Sequence, residues 1–292
     1  MTLTPLAPRP VASARQRGRS VLMVLPAVVI TVLVVGGGIG ATVLQSLGLM
    51  PIVGEASLSL AAFSANPGEV ASAVGVSLWI AGASTVIAAV VGTGAALVIV
   101  SGRWGGRIVA ALGAVTVTVP HLIGAATIGL LLADAGVLAR LLGVPAESWP
   151  ALVGGQSWAA VIAEFAWKES AFVALVVTGT LATRIAAYDE GAAMLGAGRW
   201  QRFRWIFLPL IAPTVLICST ISFVYALGSY EVAWLLGRSS PEPLPVLAVR
   251  LFQGVSLDSR PEAAAVAVIT AAIALVAVAA TFIVLRRTAA WR

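Results

Sequence analysis

The sequence predicts an all-α integral membrane protein with six transmembrane helices, and three observations lead there. Of 292 residues, 60% are hydrophobic and only 10% charged, with a mean hydropathy of +1.01, whereas a soluble domain carries about 25% charged residues. Six runs are apolar over the ~20 residues that a helix needs to cross a hydrocarbon core about 30 Å thick. The segments joining those runs alternate between arginine-rich and arginine-poor. The runs are too long for tilted barrel strands, and in lipid a helix of this length satisfies its own backbone groups.

Taken in order, residues 1–20 are polar, hold Pro5, Pro8 and Pro10, and predict a loose tail outside the membrane domain of 21–286. The first run, 21–44, follows Arg9, Arg15, Arg17 and Arg19. It exceeds the 7–15 apolar residues of a signal peptide and lacks a small-residue cleavage site, so it predicts a retained helix. Residues 45–70 read as a connection. The second run, 77–100, is dense in Gly and Ala from Ala88 to Ala96, and small residues let membrane helices approach closely. A turn at 101–107 with Arg103 and Arg107 leads to the third run, 108–132, where Pro120 predicts a kink just before the single histidine, His121.

Residues 133–157 are long for a turn, and the apolar piece 137–142 is expected to lie on the membrane surface. The fourth run, 161–183, leads into a basic loop at 184–207 and then the fifth run, 208–236. Pro241, Pro243, Pro245 and Pro261 preclude a continuous helix through 237–261. The sixth run, 263–285, ends in a short tail at 287–292. No internal repeat or long linker divides the chain, which reads as one membrane domain. Trp104, Trp149, Trp158, Trp200 and Trp205 fall near run ends, where an aromatic belt is expected.

Orientation follows from charge. One side carries Arg9, Arg15, Arg17, Arg19, Arg103, Arg107, Arg184, Arg199, Arg202, Arg204, Arg286, Arg287 and Arg292 against Asp189 and Glu190. The other carries Arg140, Arg238, Arg250 and Arg260 against seven acids. The positive-inside rule places both termini and the 184–207 loop in the cytoplasm. The sequence pI near 10.7 is thus a topology signal with anionic lipid headgroups as its counter-charge, and it does not call for nucleic acid. A single cysteine, Cys218, excludes an intrachain disulfide and any multi-cysteine metal site.

The 184–207 loop holds Glu190-Gly191-Ala192-Ala193-Met194-Leu195-Gly196 and, after nine residues, Ile206-Phe207-Leu208-Pro209. Its alanines, Met194 and Leu195 favour a short helix through 187–195, while Gly196 and Gly198 favour a stop. Glu190 near the start suits the helix dipole. Ala192 and Gly196 share a small-residue face that another surface could approach. A lipid-surface helix with Arg199, Arg202 and Arg204 on headgroups accounts for the charge but not for the fixed register to Leu208-Pro209.

That pattern resembles the EAA loop of ABC-transporter permeases, the membrane subunits of binding-protein-dependent importers of the type I fold. The resemblance spans about residues 70–286 and includes 228–237, with Leu244-Pro245-Val246 closer to the polyamine, iron and thiamine branch. Two positions depart from it: Gly191 replaces an alanine, weakening the helix by ~1 kcal/mol, and Met194 stands where many members carry Asp. The resemblance implies that Glu190, Gly191, Ala192, Ala193, Leu195, Gly196 and Arg199 meet a separate ATPase. It also implies a complex of two permeases, the second a different chain, with two ATPase subunits holding ATP and Mg and an extracytoplasmic solute-binding protein or lipoprotein. No cofactor is expected on this chain. The only lysine, Lys168, is followed by Glu169, so no G-x-x-x-x-G-K-[ST] phosphate loop exists.

Ionisable residues inside apolar runs cost about 2.5–3.5 kcal/mol at a helix centre and face a cavity or one another. Glu164 and Lys168 are i and i+4 in the fourth run and share a face, which predicts a pair. Glu169 is rotated away and needs another partner. Either these groups clasp the fourth and fifth spans together, or with Tyr225, Tyr230 and Glu231 they line a solute pathway. An acidic, aromatic lining suits a cation, polyamine-like, ahead of a sugar or sugar phosphate. An ion-gradient transporter is the alternative, but paired broken helices in inverted repeats are not seen. A hydrolase using His121 lacks a G-x-S-x-G or H-E-x-x-H motif, and an export permease would not carry this loop.

Overall fold

The computed structural model describes residues 14–182, 191–192 and 194–289, and every regular element among them is a helix. Helix α1 (14–46) is one rod: Ala14–Thr31, a π-helical turn Val32–Gly36, then Gly37–Ser46. A single turn, Ala61–Ser64, precedes α2 (Pro67–Val100). There follow α3 (Trp104–Thr118), α4 (His121–Leu132), α5 (Val137–Leu142) and α6 (Ala159–Ala182). Helix α7 (199–228) joins Arg199–Arg202, a π-helical turn Phe203–Phe207 and Leu208–Gly228. Last come α8 (Glu231–Leu236), α9 (Leu244–Gln253) and α10 (Ser259–Ala289).

By length and composition, five stretches among the described residues can cross a membrane: Leu22–Ser46, Pro67–Val100, His121–Leu142, Trp200–Gly228 and Ser259–Arg287. The sixth crossing is α6, 24 residues long and interrupted by Glu164, Lys168 and Glu169. Its charges are tolerated because the other helices enclose it: α2, α3, α4, α7 and α8 all pack on α6. Buried residues run almost all the way round it, from Ala160, Val161 and Phe165 to Val173, Val177 and Leu181.

Close packing of α2 on α6 depends on small side chains. Ser77, Ala81, Ser84, Ala88, Gly92 and Ala96 form a buried stripe along α2. At Gly92 a Cβ would lie 2.6 Å from both the Ser170 carbonyl oxygen and Val173 Cβ, so only glycine fits. The Ala88–Ala96 region therefore packs within this chain. Two apolar clusters that include α6 result, beside a third of Ala73, Leu244, Leu247 and Val266. One is built around Phe165, Trp158, Leu227 and Leu236, the other around Val173, Val177, Ile211 and Cys218.

Several sequence expectations are corrected. Pro120 breaks the third span rather than kinking it: Val119 and Pro120 are both extended, at ψ 125° and 144°, between α3 and α4. The fifth span ends at Gly228, not 236, and restarts as α8 after an extended Ser229. No continuous helix runs through 237–261, as the prolines require; the short α9 forms within it because Pro245 occupies its first turn, where no intrahelical N–H is needed. Trp158 is no belt residue but part of the core at 3% exposure, while Trp104, Trp200 and Trp205 are exposed. Piece 137–142 does form a short helix with Leu141 and Leu142 exposed.

Candidate functional site

Two regions carry the chemistry. The first is the loop before α7. Glu190 and Ala193 lie outside the described residues, as do Arg184 and Asp189, and Arg199 is placed only as the first residue of a helical turn. Gly191 and Ala192 are helical, Leu195 N–H donates to the Gly191 carbonyl at 3.3 Å, and Ala197 N–H donates to the Ala192 carbonyl at 3.0 Å. Gly196 sits at φ +76°, in the left-handed region that a side chain disfavours. This six-to-one bond around a left-handed glycine is the Schellman stop of a helix.

The chain then restarts at once. Gly198 N–H donates to Gln201 Oε1 at 3.0 Å, capping the new helix with a side chain from its first turn. Trp200 stacks on Phe203 with ring centroids 5.5 Å apart, and the Arg204 guanidinium lies 5.7 Å from the Trp205 ring. From Arg199 the backbone runs helically to Gly228. Proline lacks the N–H that an α-helical register would require at Pro209, and the π-helical turn Phe203–Phe207 takes up the mismatch just before it. Met194 and Leu195 project from the stop, each 89% exposed.

The second region lies between the two apolar clusters, where α3, α4, α6 and α7 meet. His121, first residue of α4, directs both ring nitrogens at carboxylates of α6. Nδ1 is 3.1 Å from Glu164 Oε1, and Nε2 is 3.8 Å from Glu169 Oε1. Ser222 on α7 donates its hydroxyl to Glu169 Oε2 at 2.5 Å. Lys168 Nζ donates to the carbonyl oxygen of Thr116 at 2.6 Å and to that of Val119. Glu164 is fully buried and Lys168 4% exposed.

The expected Glu164–Lys168 pair is thus replaced. Glu164 is held by His121, and Lys168 serves the backbone of the broken third span. The reason is local: Pro120 has no N–H, so the Thr116 carbonyl, four residues earlier, keeps only the 3.2 Å bond from the Val119 N–H, and the carbonyl of the extended Val119 lies beyond the end of α3. An under-satisfied carbonyl in a membrane interior is expensive, and an ammonium with three donors serves both of these. Sequence reading missed this arrangement. Its signal was the coincidence of a proline with the only lysine one span later.

Tyr225 connects this clasp to the surface. Its ring packs on His121 with centroids 4.6 Å apart and meets Phe165 edge-on at 6.3 Å. It also lines an open depression of about 400 Å³ with Val224, Gly228, Ser229, Tyr230 and Glu231. Of the pathway candidates, Tyr225, Tyr230 and Glu231 come together here, while Glu164 and Lys168 lie behind in the clasp. Tyr230 stacks on Trp234 at 6.1 Å and opens a second cavity of about 580 Å³ that reaches Arg238, Glu242 and Arg250. Arg250 bonds Glu242 and Glu69 at 2.5 Å each, tying α9 to the start of α2. The Glu242 hydrogen bond, with Glu69 beside it, raises the Arg250 pKa above its ordinary value. Among the described residues no group of three or more His, Cys, Asp or Glu could hold a metal ion.

Comparison with known proteins agrees with this architecture. Sulfoquinovosyl glycerol permease SmoG of Agrobacterium fabrum is 29% identical over 85 residues, covering 29% of this chain and only 28% of that protein. The putrescine permease PotI of Escherichia coli is 30% identical over 218 residues, covering 74% of this chain and 73% of PotI. Among solved structures, a chain of a bacterial ABC transporter that imports alginate superposes with a TM-score of 0.71 at 20% identity, over 94% of this chain and 96% of that one. A chain of the MetNI methionine ABC transporter superposes at 0.59 and 16% identity, over 79% and 99%. At such identities the structures establish the fold, that of type I ABC importer permeases. The model of the family described as the binding-protein-dependent transport system inner membrane component matches residues 84–289. With more than two thirds of its length matched, the chain belongs to that family of inner-membrane permease components.

Proposed function

We propose that this chain is the permease subunit of an ATP-driven importer that carries a small polar solute across the cytoplasmic membrane. It works with a second, different permease, two ATPase subunits that hold ATP and Mg, and an extracytoplasmic binding protein. The chain itself is non-catalytic. Both termini and the 184–207 loop face the cytoplasm, so the depression at Tyr225, Tyr230 and Glu231 opens towards the outside. Neighbours support the assembly: one alginate transporter is described in complex with a periplasmic protein bound to an alginate pentasaccharide. The likeness to PotI, named for putrescine, favours a cationic solute over a sugar.

One observation carries the reading. The exposed Met194–Leu195 knuckle is joined through Gly196 and the Gly198–Gln201 cap to a helix that runs on to Tyr225 and Gly228. An ATPase gripping that knuckle would move the far end of α7 with it. Closure of the ATPase pair would then exchange inward and outward access as a rigid-body switch between two states. The test is capture. A cysteine at Leu195, in a Cys218→Ser background, should crosslink to a nucleotide-hydrolysing subunit in membranes, and the crosslink should depend on nucleotide. Consistent failure to trap such a subunit at 194–195 would remove the coupling role.

A further inference from the structure

The outer end of α7 has properties beyond those of a channel wall. The helix stops at Gly228, Ser229 is extended, and α8 begins at Glu231. Carbonyls that close a helix lack intrahelical partners and carry partial negative charge, and broken helices at membrane depth place such ends towards cavities. Here the cavity is the depression lined by Tyr225, Ser229, Tyr230 and Glu231. Ser229 is 9% exposed, and its Oγ has no hydrogen-bond partner.

The one charged residue that lines it is acidic, Glu231. The carboxylates of Glu164, Glu231 and Glu169 all lie within electrostatic reach of the Tyr225 phenol. Lys168 donates to the carbonyls of Thr116 and Val119 and stands within electrostatic reach of Glu164 and Glu169, which His121 also contacts. Tyrosine faces attract cations through the ring quadrupole. The depression thus offers a cation two aromatic rings, an exposed carboxylate and a helix end, with the His121–Glu164–Glu169 clasp behind.

We propose that this depression recognises an organic amine in its protonated form, lodged against the rings of Tyr225 and Tyr230 and balanced by Glu231, and that Tyr225 sets selectivity for a cation over a neutral solute. The proposal rests on the reading of the chain as an importer permease and names the solute class of its pathway. A neutral sugar would leave Glu231 without a counter-charge, whereas an ammonium satisfies Glu231 and can donate to the Ser229 hydroxyl.

The test uses the assembled permease–ATPase complex in lipid nanodiscs, with radiolabelled 1,4-diaminobutane as the probe and tetramethylammonium or glucose as competitor. Saturable binding displaced by tetramethylammonium but not by glucose is expected. Glu231→Gln and Tyr225→Leu should each weaken it about tenfold, while Tyr225→Phe, which keeps the ring, stays within about threefold of wild type. Displacement by glucose, or unchanged binding in Glu231→Gln, overturns the proposal. Should Tyr225→Leu fail to assemble, Tyr225→Phe and Glu231→Gln still decide. Basal ATP hydrolysis of the same particles separates the two readings: hydrolysis without diaminobutane binding sinks the solute class alone, and absence of any associated ATPase sinks the importer itself.

Discussion

Lys168 shows how one side chain can answer for a whole segment. It neutralises part of the charge of two buried glutamates and completes the backbone of a broken helix. Removing one partner of a buried ionic network leaves the others uncompensated, at a cost of about 3–5 kcal/mol. Lys168→Met should therefore lower the thermal unfolding midpoint in detergent far more than Glu231→Gln, whose side chain is exposed. Equal midpoints for the two would contradict the clasp. Gly196 is the second decisive residue. A β-branched side chain at its φ of +76° should cost roughly 1–2 kcal/mol locally, whereas Asn tolerates that conformation. Gly196→Val should accordingly abolish coupled uptake and Gly196→Asn retain most of it, measured in proteoliposomes.

At the scale of elements, the hydrophobic runs located six crossings because length and apolarity are what lipid demands. They could not locate the interruptions. Pro120 read as a kink and the Gly228–Ser229 pair as part of a continuous run, and only tertiary partners such as the Lys168 ammonium make a full break tolerable. The stop at Gly196 was legible from spacing, since helix formers followed by glycine end a helix whatever surrounds them. The clasp was only half legible: i, i+4 geometry named the right residues in α6 but not His121 as the partner, because that contact spans 43 positions. The α2–α6 seam yields its own prediction. Gly92→Val would force a side chain into the Ser170 carbonyl, and overpacking of this kind costs about 1–3 kcal/mol. The variant should show reduced yield of folded protein by size-exclusion profile, whereas Gly94→Val, with open space around its Cβ position, should behave as wild type.

At the scale of the molecule, α7 links the two regions: its N-terminal end follows the knuckle at Met194–Leu195, and its C-terminal end lines the depression. The clasp pins the middle of α7 to α6 and to the broken third span through Glu169 and Ser222. Movement of the knuckle is therefore expected to be felt at Tyr225 as rotation or translation of one continuous helix. The most direct measurement of this account is the ratio of solute taken up to ATP hydrolysed in proteoliposomes holding the complete complex, wild type against Glu190→Lys and Gly196→Asp. Uptake should fall by about tenfold or more while hydrolysis stays within about twofold of wild type. A wild-type ratio in both variants would contradict the mechanical link on which the account rests.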